Sequence, residues 1–151
     1  MAKQDLSETA QALVTAGKGI LAADETPATL GERFSALGIP STPQHRRDYR
    51  ELLITTPLAS QFISGMILQD ETLRQADERG TPLVELLAQA GIIPGIKVDA
   101  GARPLAACAG ELVTEGLDGL RARLEEYQRI GARIAKWRAV IRVDDHLPSR
   151  C

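Results

Sequence analysis

Apolar residues along the chain follow two alternating rhythms: stretches in which they return every three or four positions, and short runs in which they are nearly continuous. The first is the period of a helix resting on a core, and the second is that of a strand buried between layers. Leu6, Ala10, Leu13 and Val14 keep helical spacing up to the Gly17-Lys18-Gly19 break, after which Ile20-Leu21-Ala22-Ala23-Asp24 reads as a first strand. Thr26-Pro27 joins a capping hydroxyl to a first-turn proline, and Leu30, Phe34 and Leu37 continue on one face until Gly38. Thr42-Pro43 opens another helix in the same way. It predicts Tyr49, Leu52 and Leu53 against the core and a solvated face carrying Arg46, Arg47 and Arg50 among Asp48 and Glu51. Phe62 to Leu68 is the second predicted strand. Thr81-Pro82 with Leu83, Leu86, Leu87 and Ala90 marks a helix closed by Gly91, and Gly95 to Asp99 is the third strand. A loop bearing Gly and Pro leads to an amphipathic helix through Leu117, Leu120, Leu124, Tyr127 and Gly131, and Ala132 to Val140 is the fourth strand.

Helices alternating with strands predict βα units on a parallel sheet, here in one domain over residues 1–151. Without a dinucleotide fingerprint, the choice lies between an open doubly wound sheet and part of a (β/α) barrel. Alternation within the strands favours the barrel. Lys136 and Arg138 share a face with Ile134, and Lys97 and Asp99 share one with Gly95, so one face is small or charged. An open sheet covered on both sides is apolar on both. Complete barrels take about 250 residues. The expected fold is therefore α/β, the first four βα units of a TIM (β/α)8 barrel, an incomplete barrel.

Composition narrows the function classes. The net charge of -2 and 3% aromatic content argue against nucleic acid as a partner, because neither an electrostatic footprint nor a stacking platform is present. No apolar run nears the roughly 20 residues of a membrane span, and the polar start at Met1 lacks the apolar stretch of a signal peptide, which together predict a cytoplasmic protein without a membrane partner. Cys108 and Cys151 form no metal or redox spacing and read as reduced, unpaired thiols, with Cys108 a small buried residue.

Lys97 and Lys136 are lysines within strands, where an ammonium needs a counter-charge or a task. Two readings stay open: a structural ion pair with Asp24 or Asp99, or a site for an anionic substrate to which Arg138 adds a further cation. Asp24 ends a strand and precedes a helix start at which Thr26 and Thr29 offer hydroxyls beside backbone amides. That helix start is a phosphate cradle or a plain cap. Arg33, two turns on, reaches a phosphate or solvent. Gly17-Lys18-Gly19 lacks the remainder of a phosphate loop and counts as a turn. His45 and His146 stand outside any metal-ligand spacing, and no Ser/His/Asp set falls at the strand ends, so no metal is expected.

Six ordered blocks carry a family resemblance: Gly-Lys-Gly-Ile-Leu-Ala-Ala-Asp-Glu at 17–25, Arg-Arg-Asp-Tyr-Arg at 46–50, Ile-Ser-Gly-Met-Ile-Leu at 63–68, Gly-Ile-Lys-Val-Asp at 95–99, Gly-Leu-Asp-Gly-Leu at 116–120 and Ala-Lys-Trp-Arg-Ala-Val at 135–140. From Gly17 to Ser149 the chain resembles the amino-terminal half of class I fructose-bisphosphate aldolase. The resemblance implies a (β/α)8 lyase of glycolysis, homo-oligomeric at full length and free of metal or other cofactor. Such an enzyme cleaves fructose 1,6-bisphosphate to dihydroxyacetone phosphate and glyceraldehyde 3-phosphate through a lysine Schiff base. It further implies that Asp24 assists proton handling at the bond being cleaved and that Lys136 stabilises developing charge. Arg138, Lys97, Arg33 and Arg46 match substrate- and phosphate-contacting positions, and Thr26 and Thr29 stand near a phosphate. Pro27 departs from the family's usual Ser-Thr-Gly run, and Ala100 replaces a common lysine. The family's Schiff-base lysine lies on its sixth strand, for which this sequence has no counterpart, so these residues alone are expected to be inactive; Lys136 is the local stand-in. A non-catalytic half-barrel, serving as a binding or assembly module, is the alternative.

Overall fold

The nearly continuous apolar runs pair side by side in the parallel sense. Strand β1 (Gly19–Ala23) lies against β2 (Ile63–Leu68), and β2 against β3 (Ile93–Lys97). An antiparallel hairpin of β4 (Gly101–Pro104) and β5 (Leu112–Glu115) intervenes before β6 (Ile134–Lys136) pairs with β3, giving the order β1-β2-β3-β6. This computed structural model describes residues 6–150; Cys151 lies outside them. Helix α1 (Leu6–Leu13) precedes β1, while α2 (Pro27–Ser35), α3 (Pro43–Ile54) and the single turn α4 (Ala59–Phe62) lead from β1 to β2. Helices α5 (Asp70–Leu73) and α6 (Leu83–Gln89) connect β2 to β3, and α7 (Leu120–Ile130) leads into β6. Of the three Thr-Pro pairs read as helix starts, two cap as expected: the Thr26 and Thr42 hydroxyls accept from the Thr29 and His45 amides at 3.2 and 3.1 Å, with proline in the first turn of each helix, whereas at Thr81-Pro82 the cap position falls on Pro82 and no side chain caps α6.

The period-two alternation of the strands divides the sheet into unlike faces. Met66, Leu68, Ile96 and Val98 point to the helical side and are buried with Leu73, Leu83, Leu87 and Tyr127. Burial of these side chains supplies the main apolar driving force for the fold. The register partners Ile67, Gly95 and Ile134 occupy the other face, where Gly95 is small for a reason: a Cβ there would come within 2.9 Å of both Ile67 and Ile134 side-chain atoms. Beyond that packed layer, at the carboxyl ends, Lys97 and Lys136 stand directly opposite each other on β3 and β6.

Several expectations need correcting. The fourth strand is three residues long, not nine, because its β3 partner ends at the Lys97–Lys136 register pair, which leaves Arg138 beyond the strand. The Gly- and Pro-bearing loop contains the β4–β5 hairpin, whose four-residue, largely exposed strands are too short to show an alternation, the adjacent Leu112 and Val113 both being exposed. On α3 the arginine face turns inward: Arg50 is 1% exposed, whereas Leu52 is 67% exposed. Carboxylates on neighbouring elements make that inversion tolerable, as described below. Leu117 precedes α7 and is exposed, as are Leu6, Val14 and Leu37, and Cys108 is half-buried rather than buried.

Candidate functional site

In a parallel sheet all strands deliver their carboxyl ends to one rim, and side chains just past those ends converge there. A cavity of about 560 Å³ opens at this rim. Asp24 enters it from β1, Gln69 and Asp70 from β2, Lys97 and Asp99 from β3, and Lys136 and Arg138 from β6. Thr26 and Thr29 line it from the start of α2, with their hydroxyls 3.1 Å apart. Of the residues singled out from sequence, Asp24, Thr26, Thr29, Lys97, Lys136 and Arg138 are thus brought together. Arg33 and Arg46 are not among the lining residues. Arg33 is mostly exposed and pairs with Glu25; Arg46 is clamped by both Glu71 oxygens, at 2.6 and 2.8 Å, and by the Ser41 carbonyl.

The two lysines hold separate counter-charges. Lys136 Nζ donates to Asp24 Oδ2 at 2.6 Å, and Lys97 Nζ donates to Asp99 Oδ1 at 2.7 Å and to the Asp99 carbonyl at 3.0 Å. The first contact has a geometric consequence. Strands β1 and β6 are three spacings apart, roughly 14 Å along a flat sheet, a gap that a lysine and an aspartate cannot bridge. The sheet must therefore curve, with the lysine face concave. On that concave face both lysines form ion pairs with the carboxylates the sequence offered, and both also line the cavity.

Burial pushes the Asp99 carboxyl up, yet the Lys97 hydrogen bond and charge, the Gly101 amide and the Arg138 charge hold it below the ordinary aspartate value. Glu25, which also lines the cavity, feels the same opposition. Burial raises it, while its own backbone amide, Arg50 and Arg33 together bring it below the ordinary glutamate value. Asp70 is likewise lowered, with burial outweighed by Arg74 and the Tyr127 hydroxyl. A carboxylate whose folded pKa is depressed adds stability that is complete above its unfolded value and is lost as pH falls through the folded one. Thermal unfolding followed from pH 7 downward should accordingly show a melting temperature that holds to about pH 5 and drops below about pH 4. A melting temperature constant from pH 7 to 3 would contradict these three assignments.

Glu25, Asp70, Arg123 and Tyr127 also line the cavity and were not singled out from sequence. The strand-end rule that selects Asp24 would have found the first two, which lie two residues past the ends of β1 and β2. Arg123 and Tyr127 lie on α7, and no sequence signal marks them. Among the described residues, no cluster of three or more His, Cys, Asp or Glu side chains is arranged to hold a metal, and no helix is long and apolar enough to cross a membrane.

Residues 5–151 match the family model described as Glycolytic: Fructose-bisphosphate aldolase class-I. The chain belongs to that family. The probable fructose-bisphosphate aldolase class 1 of Xylella fastidiosa strain Temecula1 is 61% identical over 99% of this chain and 45% of its own length. The muscle-type fructose-bisphosphate aldolase of Lethenteron camtschaticum is 47% identical over 98% of this chain and 41% of its own. The solved fructose-bisphosphate aldolase of Plasmodium falciparum superposes with a TM-score of 0.91 at 48% identity, covering 96% of this chain and 42% of that one. The chain thus spans less than half the length of these aldolases. Within that span the likeness extends beyond the motif blocks to the whole arrangement of strands and helices.

Proposed function

We propose that this chain forms the first four βα units of a (β/α)8 barrel and the phosphosugar-binding half of a class I fructose-bisphosphate aldolase active site. The observation that carries the reading is the meeting of Lys97, Lys136 and Arg138 with Asp24 in one strand-end cavity. The charge pattern suits a doubly phosphorylated sugar. Fixed cations meet the anionic substrate without first having to reorganise, which is how a site favours charge that builds during reaction. Lys136, steadied by Asp24, stabilises the charge that develops as the carbon–carbon bond of fructose 1,6-bisphosphate breaks, and Asp24 assists the accompanying proton transfer. Thr26 and Thr29, at the amino end of α2, receive a phosphate through hydroxyls and backbone amides. Lys97 and Arg138 contact the substrate from the opposite wall, whereas Arg33 and Arg46, which the family resemblance implies as phosphate contacts, stand outside the cavity on Glu25 and Glu71 and would have to leave those partners to reach it. The covalent step belongs to a lysine in the part of the relatives' length that this chain does not span. Glycolytic chemistry of this kind fits a cytoplasmic, homo-oligomeric full-length enzyme.

Reductive trapping tests the division of labour. A Schiff base needs a free amine as its nucleophile, and the Nζ atoms of both cavity lysines are engaged by carboxylates. Borohydride treatment of the chain with dihydroxyacetone phosphate should therefore leave it unlabelled by mass spectrometry, although fructose 1,6-bisphosphate binds in a saturable titration. Label on Lys136 would overturn the assignment, and absence of saturable binding would overturn the site.

A further inference from the structure

The cavity has a peculiarity in its charge balance. Its cations, Lys97, Lys136, Arg123 and Arg138, are matched in number by its carboxylates, Asp24, Glu25, Asp70 and Asp99. A cavity so balanced has no net pull on an anion. Two of the carboxylates have their charge met by residues that do not line the cavity: Asp70 pairs with Arg74 at 3.0 Å in a partly exposed, solvent-screened contact, and Glu25 is met from behind by two arginines. Arg50 Nη1 donates to Glu25 Oε2 at 2.6 Å, and Arg50 Nη2 donates to the Glu25 backbone carbonyl at 2.9 Å. Arg33 holds the other carboxylate oxygen. The two arginines are not equivalent. The Arg33 side chain is 56% exposed, so solvent screens its pair, whereas that of Arg50 is 1% exposed and engages side chain and backbone together. The Arg50 guanidinium carbon also lies 5.3 Å from the Tyr49 ring centroid, and Tyr49 packs edge-on to Phe34 of α2, so the clamp is fixed between two helices.

We propose that Arg50 is a positioning residue that gives the cavity its positive sign: it cancels Glu25 from outside and fixes the Asp24-Glu25-Thr26 turn toward the lysines. With Glu25 neutralised, the cations exceed the remaining carboxylates by one, and the solvent-screened Asp70–Arg74 pair adds to that excess rather than offsetting it. The inference rests on the anion-binding reading above. It goes beyond that reading by assigning a role to a residue that never touches substrate. Arg50 was expected on a solvated face, and its burial against Glu25 has no other use in the site.

The test is a titration of the full chain with fructose 1,6-bisphosphate, read from Trp137, the single tryptophan, with circular dichroism confirming the fold of each variant. Arg50→Met should weaken binding about tenfold, because an uncancelled carboxylate then faces the anion. Adding Glu25→Gln to Arg50→Met should restore affinity to within about twofold of wild type, since the charge that needed cancelling is gone. A merely structural role for Arg50 would leave the double variant as weak as the single, and that result overturns the proposal, as does Arg50→Met binding like wild type. Should Arg50→Met not fold, Arg50→Lys keeps the charge. It should bind within about threefold of wild type, and a folded Arg50→Lys tenfold weaker would overturn the proposal instead. Failure of the wild-type chain itself to bind would remove the anion-binding reading and this inference together, whereas failure confined to the variant pattern removes this inference alone.

Discussion

Alanine at position 116 is expected to destabilise the fold by about 3 kcal/mol, a fall of roughly 10 °C in melting temperature. Two effects combine there. Gly116 has φ of +124°, a conformation that side chains rarely adopt, and a Cβ would lie 2.7 Å from the Ala100 nitrogen, 3.1 Å from the Val98 carbonyl and 3.2 Å from the Asp99 Cα. All three neighbours are backbone, so relief requires moving the end of β3 itself. That segment is also held by the Ala100 amide, which donates to the Glu115 carbonyl at 2.8 Å, and by Arg123, which donates to the Val98 and Gly116 carbonyls. The strain therefore reaches Asp99 and, through it, Lys97. Gly80→Ala isolates the conformational part, because φ there is +84° but no atom lies within 4 Å; it should cost about 1 kcal/mol. Scanning calorimetry on both variants decides the matter: a Gly116→Ala chain within 3 °C of the Gly80→Ala chain would show that close approach at this turn carries no weight.

Much of this architecture could be read before any coordinates. The β1, β2 and β3 runs are apolar on the face that meets the helices, and the Thr26-Pro27 and Thr42-Pro43 pairs carry their own capping chemistry, so local and tertiary preferences agree. The Gly95-Lys97-Asp99 and Ile134-Lys136-Arg138 alternations placed four of the cavity-lining side chains on one face. What escaped was decided by partners remote in sequence. Arg50 looks like a solvated helix residue until Glu25, twenty-five positions earlier, is brought behind it. β6 stops at Lys136 because β3 offers no further partner, although the run through Val140 stays compatible with a strand. Hairpin β4–β5 is exposed on both faces over most of its length, which leaves pattern reading nothing to detect. Asp70 and Glu25 lie close enough past strand ends to have been found by position, while Arg123 and Tyr127 reach the cavity from α7, a helix whose Leu120 and Ile130 pack on the core and so read as structural.

Lys136→Met should reduce affinity for fructose 1,6-bisphosphate about a hundredfold while leaving the fold nearly intact. The asymmetry between binding and stability follows from where the lysine sits. Its side chain is 33% exposed, so water screens the pair with Asp24, and the pair adds little to stability. On the proposed reading, a bisphosphate entering the cavity would displace that water, and the same charge would then act at close range in a drier site. Removing it has a second effect, because Asp24, with its side chain only 10% exposed, is left as an unopposed carboxylate beside the anion. The two contributions separate in Lys136→Met/Asp24→Asn, which lacks the freed charge and should recover about tenfold, short of wild type. Isothermal titration across the three proteins measures both steps. Lys136→Met binding as tightly as wild type would mean that the bisphosphate lies away from β6, and the curved, lysine-bearing face of the sheet would then need another purpose.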